Sequence, residues 1–543
     1  MKSFSLSALL YLLIASYCNA QSWNWTNQIR INSNSNTIQS EYAYGCSDGQ
    51  NIYVIGEYGG ALEGLTDTIN SSGPNDLFVM KYDQNGIEQW VKGFGGSYYY
   101  WMDYERINGY YHNNSLFVGG SYINPTLLDT ILLPSHSFDS ADIFLARMDL
   151  NGQFIWGRHF GSGGIDFCRI SLKPNGNPFM VGGVRYTTMI DTFQINPGMF
   201  VAEFDQNGNC IWAENKLNLG NGLGRELVYF NFIGSDIILA GSFNVVGGTI
   251  DTAVISSNGD YDSFICRLDS DGDLIWLNTF GGQGLERITD IELYNNEIYV
   301  SLYFTDSFQL DANNHITTTS PSTLLLKYSD NGNLVWNVDM KNTGTIGVAT
   351  AIEFANDGTL YMTGVYTGSA IFGNDTLVSV LNRNMFLARY NPIGDWLGVI
   401  EFGEGQGDDV VFDSNNNTYS IGYFNNIVSF GSNTFTSIGP RDLYVGRLSG
   451  TVGIGENFKL NNQLSIYANP NAGIFEVSLP DGLNLYEPLK IDIYNSIGEK
   501  VFQNVVNYSN LLTIDVDQLP TGVYNLILSQ RRNNFSGKII IQN

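Results

Sequence analysis

The chain of 543 residues is short of several residue types, and each shortage argues against a class of protein. It has 5 cysteines, one of which, Cys18, falls within the first 20 residues. The other four, Cys46, Cys168, Cys210 and Cys266, contain no Cys-x-x-Cys and sit at unrelated phases of the repeat, so they read as small buried hydrophobes rather than a disulfide framework or metal site. A single Cys168–Cys210 bridge stays open. The 4 histidines, His112, His136, His159 and His315, are equally scattered, and no His-Glu-x-x-His or Gly-x-Ser-x-Gly occurs. Basic residues number 26 against 53 acidic ones, a net charge of −27, which repels phosphate backbones and argues against nucleic-acid binding, while tolerating Ca²⁺. From Thr451 onward there are 6 basic and 8 acidic residues, so the excess lies in the preceding part. No later segment offers the 18 apolar residues of a membrane helix. Residues 1–20 read as a secretory signal, with Lys2, the apolar run Leu9–Ala15 and a cut after Ala20; Tyr17 before Cys18 disfavours a lipoprotein.

Glycine (60), tyrosine (32) and phenylalanine (32) are abundant while charged residues are 15%, a balance that suits an all-β extracellular protein. A phrase of the form Asp-x-Phe-Val-x-Lys-Tyr recurs seven times, at Asp76–Tyr82, Asp142–Met148, Gly198–Phe204, Asp262–Leu268, Ser322–Tyr328, Asn384–Tyr390 and Asp442–Leu448. A period of about 61 residues marks a repeat array. A second apolar run precedes each copy, for example Asn51–Tyr58 and Ser115–Tyr122, after Asn/Asp/Gly turn residues. Six copies lead through a Gly turn to Trp90, Trp156, Trp212, Trp276, Trp336 and Trp396; the seventh does not, and Trp23 and Trp25 supply the missing strand at the start of the mature chain. Four hairpin-linked strands per unit predict seven four-stranded blades, closed by the N-terminal strand. The fixed-phase Trp predicts filler between blades near the rim. One residue separates the sixth turn from Trp396 where others have three, which predicts that Trp396 keeps the orientation of the other tryptophans.

The second-to-third connections are the long ones: Glu57–Asn75, Ile123–Ala141, Val184–Pro197, Asn244–Tyr261, Thr305–Pro321, Thr367–Arg383 and Asn425–Arg441. Their face is the expected site of any glycan or protein ligand. A repeated Asp-Thr (Asp67-Thr68, Asp129-Thr130, Asp191-Thr192, Asp251-Thr252, Asp375-Thr376) points instead to a small extra strand within them. Asp269-Ser-Asp-Gly-Asp273 resembles the start of a Ca²⁺ loop but lacks its bidentate Glu and reads as a hairpin turn. Tyr98–Trp101 reads as core aromatics ahead of a sugar platform, and carboxylate pairs such as Asp408-Asp409 are expected by chance in so acidic a chain. No catalytic, cofactor or metal residue is assigned.

From about Leu464 the pattern changes to short alternating strands of a small β-sandwich: Ile466–Val477, Leu489–Val501, Leu519–Leu528 and Lys538–Gln542. These blocks, in order and spacing, closely resemble the type A C-terminal sorting domain of the type IX secretion system of Bacteroidota, with Ala468 where that family has Pro. The resemblance implies export across the outer membrane with the tail as address, and partnership with the secretion machinery through residues 464–543. The repeats resemble bacterial β-propeller repeats of exported proteins, a family with no single activity. The expected organisation is a signal over 1–20, a seven-bladed β-propeller over 21–450, a linker over 451–463 and an Ig-like sorting sandwich over 464–543. The expected role is a secreted or surface-displayed, non-enzymatic binding, scaffold or adhesion module; the alternative is a polysaccharide-acting propeller hydrolase or lyase.

Overall fold

A computed structural model describes residues 23–32, 42–73, 75–96, 107–137, 140–219, 228–379, 383–431, 433–448, 465–467, 471–478, 488–495, 500–506, 511–530 and 533–542. The signal segment, Tyr98–Trp101 and the linker lie outside these residues. The chain divides into two compact units, one spanning Ala20–Gly450 and another containing Thr451–Asn543.

All regular structure among the described residues of the larger unit is strand. Strands pair in order as antiparallel four-stranded meanders. In the fifth, Glu286–Tyr294, Glu297–Phe304, Ser322–Tyr328 and Leu334–Asn342 run from the axis to the rim. Six such blades are continuous in sequence. The seventh takes the end of the long strand Trp396–Phe412, then Thr418–Phe430 and Asp442–Leu448, and is completed by Trp23–Asn32. Trp25 faces Arg447 and Ile29 faces Leu443 across that final pairing. The N-terminal strand thus closes the ring as expected, and backbone hydrogen bonds replace side-chain packing at the joint.

Each joint buries an apolar layer. Tyr299, Leu325, Ile352, Met362 and Phe386, for example, form one core between blades five and six. The Trp and the Lys/Arg of the repeated phrase act together at the rim. Trp276 Nε1 and Arg267 Nη1 both donate to the Asp330 carbonyl in the next blade's third turn, at 3.0 Å each. The same clamp joins Trp90 and Lys81 to the Leu150 carbonyl, Trp156 and Arg147 to that of Gln206, and Trp25 and Arg447 to that of Gln84. The turn's glycine lies flat on the indole: at Gly332, with φ of +78°, a Cβ would come within 2.8 Å of Trp276. Blade three departs from the pattern, with Glu203 in place of Lys and Trp212 bonded to it.

Trp396 does not keep the orientation predicted for it. The sixth turn is not shortened: Asn391 N–H donates to the Asp395 carbonyl as Asp269 N–H does to Asp273. Arg389 faces Gly398, whereas the equivalent Arg267 faces Trp276, and Trp396 is paired with Tyr390. The tryptophan has moved two positions along an unchanged register, across a β-bulge, and so packs in the core of blades five and six. Blade seven has no third turn, because its last two strands come from opposite ends of the larger unit. No carbonyl therefore waits for a clamp there. Trp23 fills the six–seven joint instead, meeting Phe402 and Phe430 edge-on at 5.0 Å.

All four described cysteines are free. Cys168 lies on the innermost strand and Cys210 on the outermost strand of blade three. Three strand spacings, about 14 Å, exceed the reach of a bridge.

In the smaller unit, Ser465–Tyr467, Ile474–Ser478 and Leu511–Asp515 form one sheet. Leu489–Tyr494, Lys500–Val506, Gly522–Gln530 and Asn533–Ile541 form the other. Phe475, Val477 and Ile514 from the first pack with Ile491, Ile493, Leu526 and Ile539 from the second, which is the expected sandwich.

Candidate functional site

The long connections are not irregular. Among the described residues each of the seven holds a two-stranded hairpin, such as Thr126–Leu128 with Ile131–Leu133 or Val246–Ile250 with Ala253–Ser256. Most pair with the outermost strand of the preceding blade, as Ile250 does with Leu217, Ala370 with Asn342 and Leu62 with Ile31. They cover part of an edge that would otherwise be unpaired. The repeated Asp-Thr marks these hairpins. Asp129, Asp191 and Asp251 adopt positive φ at the tip, and their carboxylates accept from Phe154 N–H, Cys210 N–H and Leu274 N–H at the start of their own blade's outer strand. In blade one the contact is reversed, with Glu88 accepting from Leu65 N–H and the Thr66 hydroxyl.

The Asp that opens the repeated phrase is also structural. Asp142 accepts from His136 N–H (2.7 Å), Asp262 from Asn258 N–H (3.1 Å), and Asp442 from both Ile438 N–H and Ile31 N–H (3.1 Å each). Burial raises the carboxyl of each above the ordinary carboxylate range. His136 Nδ1 lies 3.2 Å from Asp142, and burial lowers the nearby His159. Asp269 accepts from Asp271 N–H and Asp273 N–H at 2.9 Å, as Asp83 does from Asn85 and Ile87, so the Ca²⁺-like segment is an ordinary turn of this repeat. Among the described residues no three His, Cys, Asp or Glu side chains are placed to hold a metal ion.

The innermost strands carry the chemistry. Side chains stitch each blade to the innermost strand of the next: Asn108 of an innermost strand to Ile170, Ser242 of a second strand to Ile288, and Thr323 of a third strand to both Gly347 and Ala349. Blades five and seven also stitch with acids. Asp290 accepts from Ile352 N–H (2.9 Å), Asp408 from Ala43 N–H (3.2 Å) and Asp409 from Gly45 N–H (2.8 Å). Asp408-Asp409, dismissed as chance in the sequence, thus joins blade seven to blade one. Beside them stand Glu292 of blade five and Glu353 of blade six, on adjacent innermost strands. Burial, then Asp290, raises Glu292 up to about 8; burial, then Glu292, raises Glu353 well above the ordinary glutamate value. Tyr110 and Arg169, from the innermost strands of blades two and three, also face this cluster, and Tyr110 is 37% exposed although the ring surrounds it. Arg169 lies over the Tyr229 ring at 4.0 Å. A sequence signal for the pair existed: Ile291-Glu292 and Ile352-Glu353 occupy one phase of successive repeats.

Between blades one and two a cleft of about 100 Å³ is lined by Glu57, Asp76, Tyr122 and Phe144 among others. Ligand pockets span about 300–1,000 Å³.

Residues 465–542 match the family described as secretion system C-terminal sorting domain. No curated protein matches the chain. Solved structures with a similar chain path include the Dos1 propeller (9% identity, 77% of this chain and 95% of that one, TM-score 0.37). A member of the DUF4221 family from Bacteroides vulgatus is 9% identical over 63% of this chain and 91% of that one, with a TM-score of 0.30. A GH43 β-xylosidase/α-arabinofuranosidase from a compost metagenome is 9% identical over 60% and 99%, with a TM-score of 0.28. The blades themselves rest on the strand pairings given above. The C-terminal domain is a type IX secretion sorting domain, and the chain is a β-propeller protein exported by that route to the cell surface or the medium.

Proposed function

We propose that the ring is a non-enzymatic binding or adhesion module whose ligand, a glycan or a protein, meets the long-connection hairpins. The observation that carries this reading is the exposure of aliphatic side chains on those hairpins. Val246 at 87% and Val254 at 71% are the most exposed large apolar side chains among the described residues, and Leu127, Leu132, Met189, Val378 and Ile427 stand out from the equivalent hairpins. Apolar groups held on ordered hairpins offer binding surface with little ordering cost.

The axial acids support the same reading. Glycoside hydrolysis needs two carboxyl groups about 5–5.5 Å or about 6.5–9.5 Å apart with substrate between them. Asp290, Asp408 and Asp409 are each engaged by a backbone N–H group of the neighbouring blade. The test is a glycan and surface-protein array probed with the full chain, repeated with Val246→Asp and Val254→Asp. Binding that both substitutions weaken is the expected result. Release of reducing or unsaturated sugar ends from a polysaccharide would overturn it in favour of a hydrolase or lyase.

A further inference from the structure

We propose that the cleft between blades one and two takes the side chain of a lysine presented by a protein ligand. This rests on the reading of the long-connection hairpins as the ligand-binding face, and names the chemistry that one part of that face recognises. Glu57 lies near the end of the second strand of blade one, Asn51–Tyr58, and Asp76 opens the third, Asp76–Asp83. The long connection of blade one runs between them. Ser121 lies near the end of the second strand of blade two, Ser115–Ile123, and Leu128 in the hairpin that follows it. All four line the cleft, which therefore sits at the foot of two long connections.

The cleft holds acceptors that lack a donor. Asp76 is 4% and Ser121 8% exposed. Asp76 Oδ2 accepts from Ser72 N–H at 2.6 Å. Asp76 Oδ1 and the Ser121 hydroxyl have no hydrogen-bond partner of normal geometry, a costly state for buried oxygens. The equivalent acids of other blades show what is missing. A side-chain nitrogen stands on each: His136 Nδ1 on Asp142 (3.2 Å), Asn258 Nδ2 on Asp262 (3.1 Å) and Gln28 Nε2 on Asp442 (2.6 Å). Among the described residues no side-chain nitrogen reaches Asp76. Glu57 adds a second carboxylate, and none of the described residues that line the cleft is basic.

An alkylammonium group matches this lining. It carries three donors and no acceptor, to set against Asp76, Ser121 and Glu57. Leu77, Phe94 and Leu128 form apolar walls that suit its methylene stem. The volume of about 100 Å³ fits one unbranched side chain. A cavity of about 150 Å³ holds benzene, so a sugar ring is too large, and its hydroxyls would lie unpaired against leucine and phenylalanine. Burial raises the Asp76 carboxyl above its ordinary value, and a cation beside it would draw it back. The net charge of −27 steers basic partners toward the ring.

The test is saturation-transfer NMR of the full chain with the capped tripeptide Gly-Lys-Gly, against the same peptide carrying norleucine or acetyl-lysine. The lysine peptide is expected to bind with a Kd of about 1 mM, and each of the other two at least about tenfold more weakly. Asp76→Asn, which keeps an acceptor for Ser72 N–H, and Ser121→Val, which fills the cleft, should each weaken lysine binding about tenfold. No transfer to the lysine side chain at about 10 mM, or equal transfer from the norleucine peptide, would overturn the proposal. So would unchanged binding in both folded variants, or binding of glucosamine or of Ca²⁺ alone in place of lysine. If neither variant folds, the three peptides on the wild type decide. The array separates this proposal from the reading beneath it. A ligand lost with Val246→Asp and Val254→Asp but kept with Asp76→Asn and Ser121→Val leaves the binding role standing and removes the lysine site.

Discussion

Two joints of the ring carry the same backbone pattern with different side chains. Between blades four and five, Trp276 and Arg267 grip the Asp330 carbonyl, and Gly332 lies on the indole. Between blades six and seven the matching position is Gly398, the tryptophan is displaced to Trp396 on the opposite face, and Trp23 fills the space. The difference follows from where the chain begins. Blade seven borrows its outer strand from the N-terminus, so it lacks the turn that supplies both carbonyl and glycine. A residue that looks like a small sequence irregularity is the imprint of closure one blade away.

The largest effect that could break this comparison is removal of the borrowed strand. Deleting residues 21–33 is expected to lower the ring's melting temperature by more than about 10 °C, read by calorimetry, because one blade loses an edge and two joints lose their fillers. Next is the clamp. Trp276→Ala is expected to cost about 3 kcal/mol by denaturant unfolding. Combined with Arg267→Met the loss should be less than additive, since both groups share one carbonyl. Smaller again is the turn glycine. Gly332→Ala meets both a positive φ and the indole, and is expected to cost about 2 kcal/mol. Gly234→Ala, with φ of +63° but nothing within 4 Å, should cost about 1 kcal/mol.

The smallest effect concerns the buried Asp of the phrase. Burial raises Asp262 above its ordinary value, so its contribution is present at acid pH and is lost as pH rises through the folded value. Asp262→Asn keeps the acceptor for Asn258 N–H and should flatten the melting temperature as pH rises above the ordinary aspartate value of 3.8.

Much of the ring was legible in the sequence because its signals are local. The phrase, its period and the Asn-Gly turns each depend on a few adjacent residues, and the offset of Trp23 and Trp25 announces closure without any distance. What was not legible depends on register. A β-bulge between Trp396 and Gly398 decides which face the indole takes, and counting residues through a turn does not show a bulge. The hairpins were marked by Asp-Thr, but their docking on the preceding blade is a contact between units. Asp409 reaches Gly45 across the closure, 364 positions away in the chain. Glu292 and Glu353 share a repeat phase, yet one phase alone does not tell that both lie on neighbouring innermost strands.

The most direct test of closure needs no substitution. Amide hydrogen exchange of the full chain, read by mass spectrometry, compares Trp23–Asn32 with Leu274–Gly282, the outer strand of a blade continuous in sequence. Equal, slow exchange in the two segments is the predicted result. Exchange of Trp23–Asn32 at the unprotected rate, while Leu274–Gly282 stays protected, would contradict it.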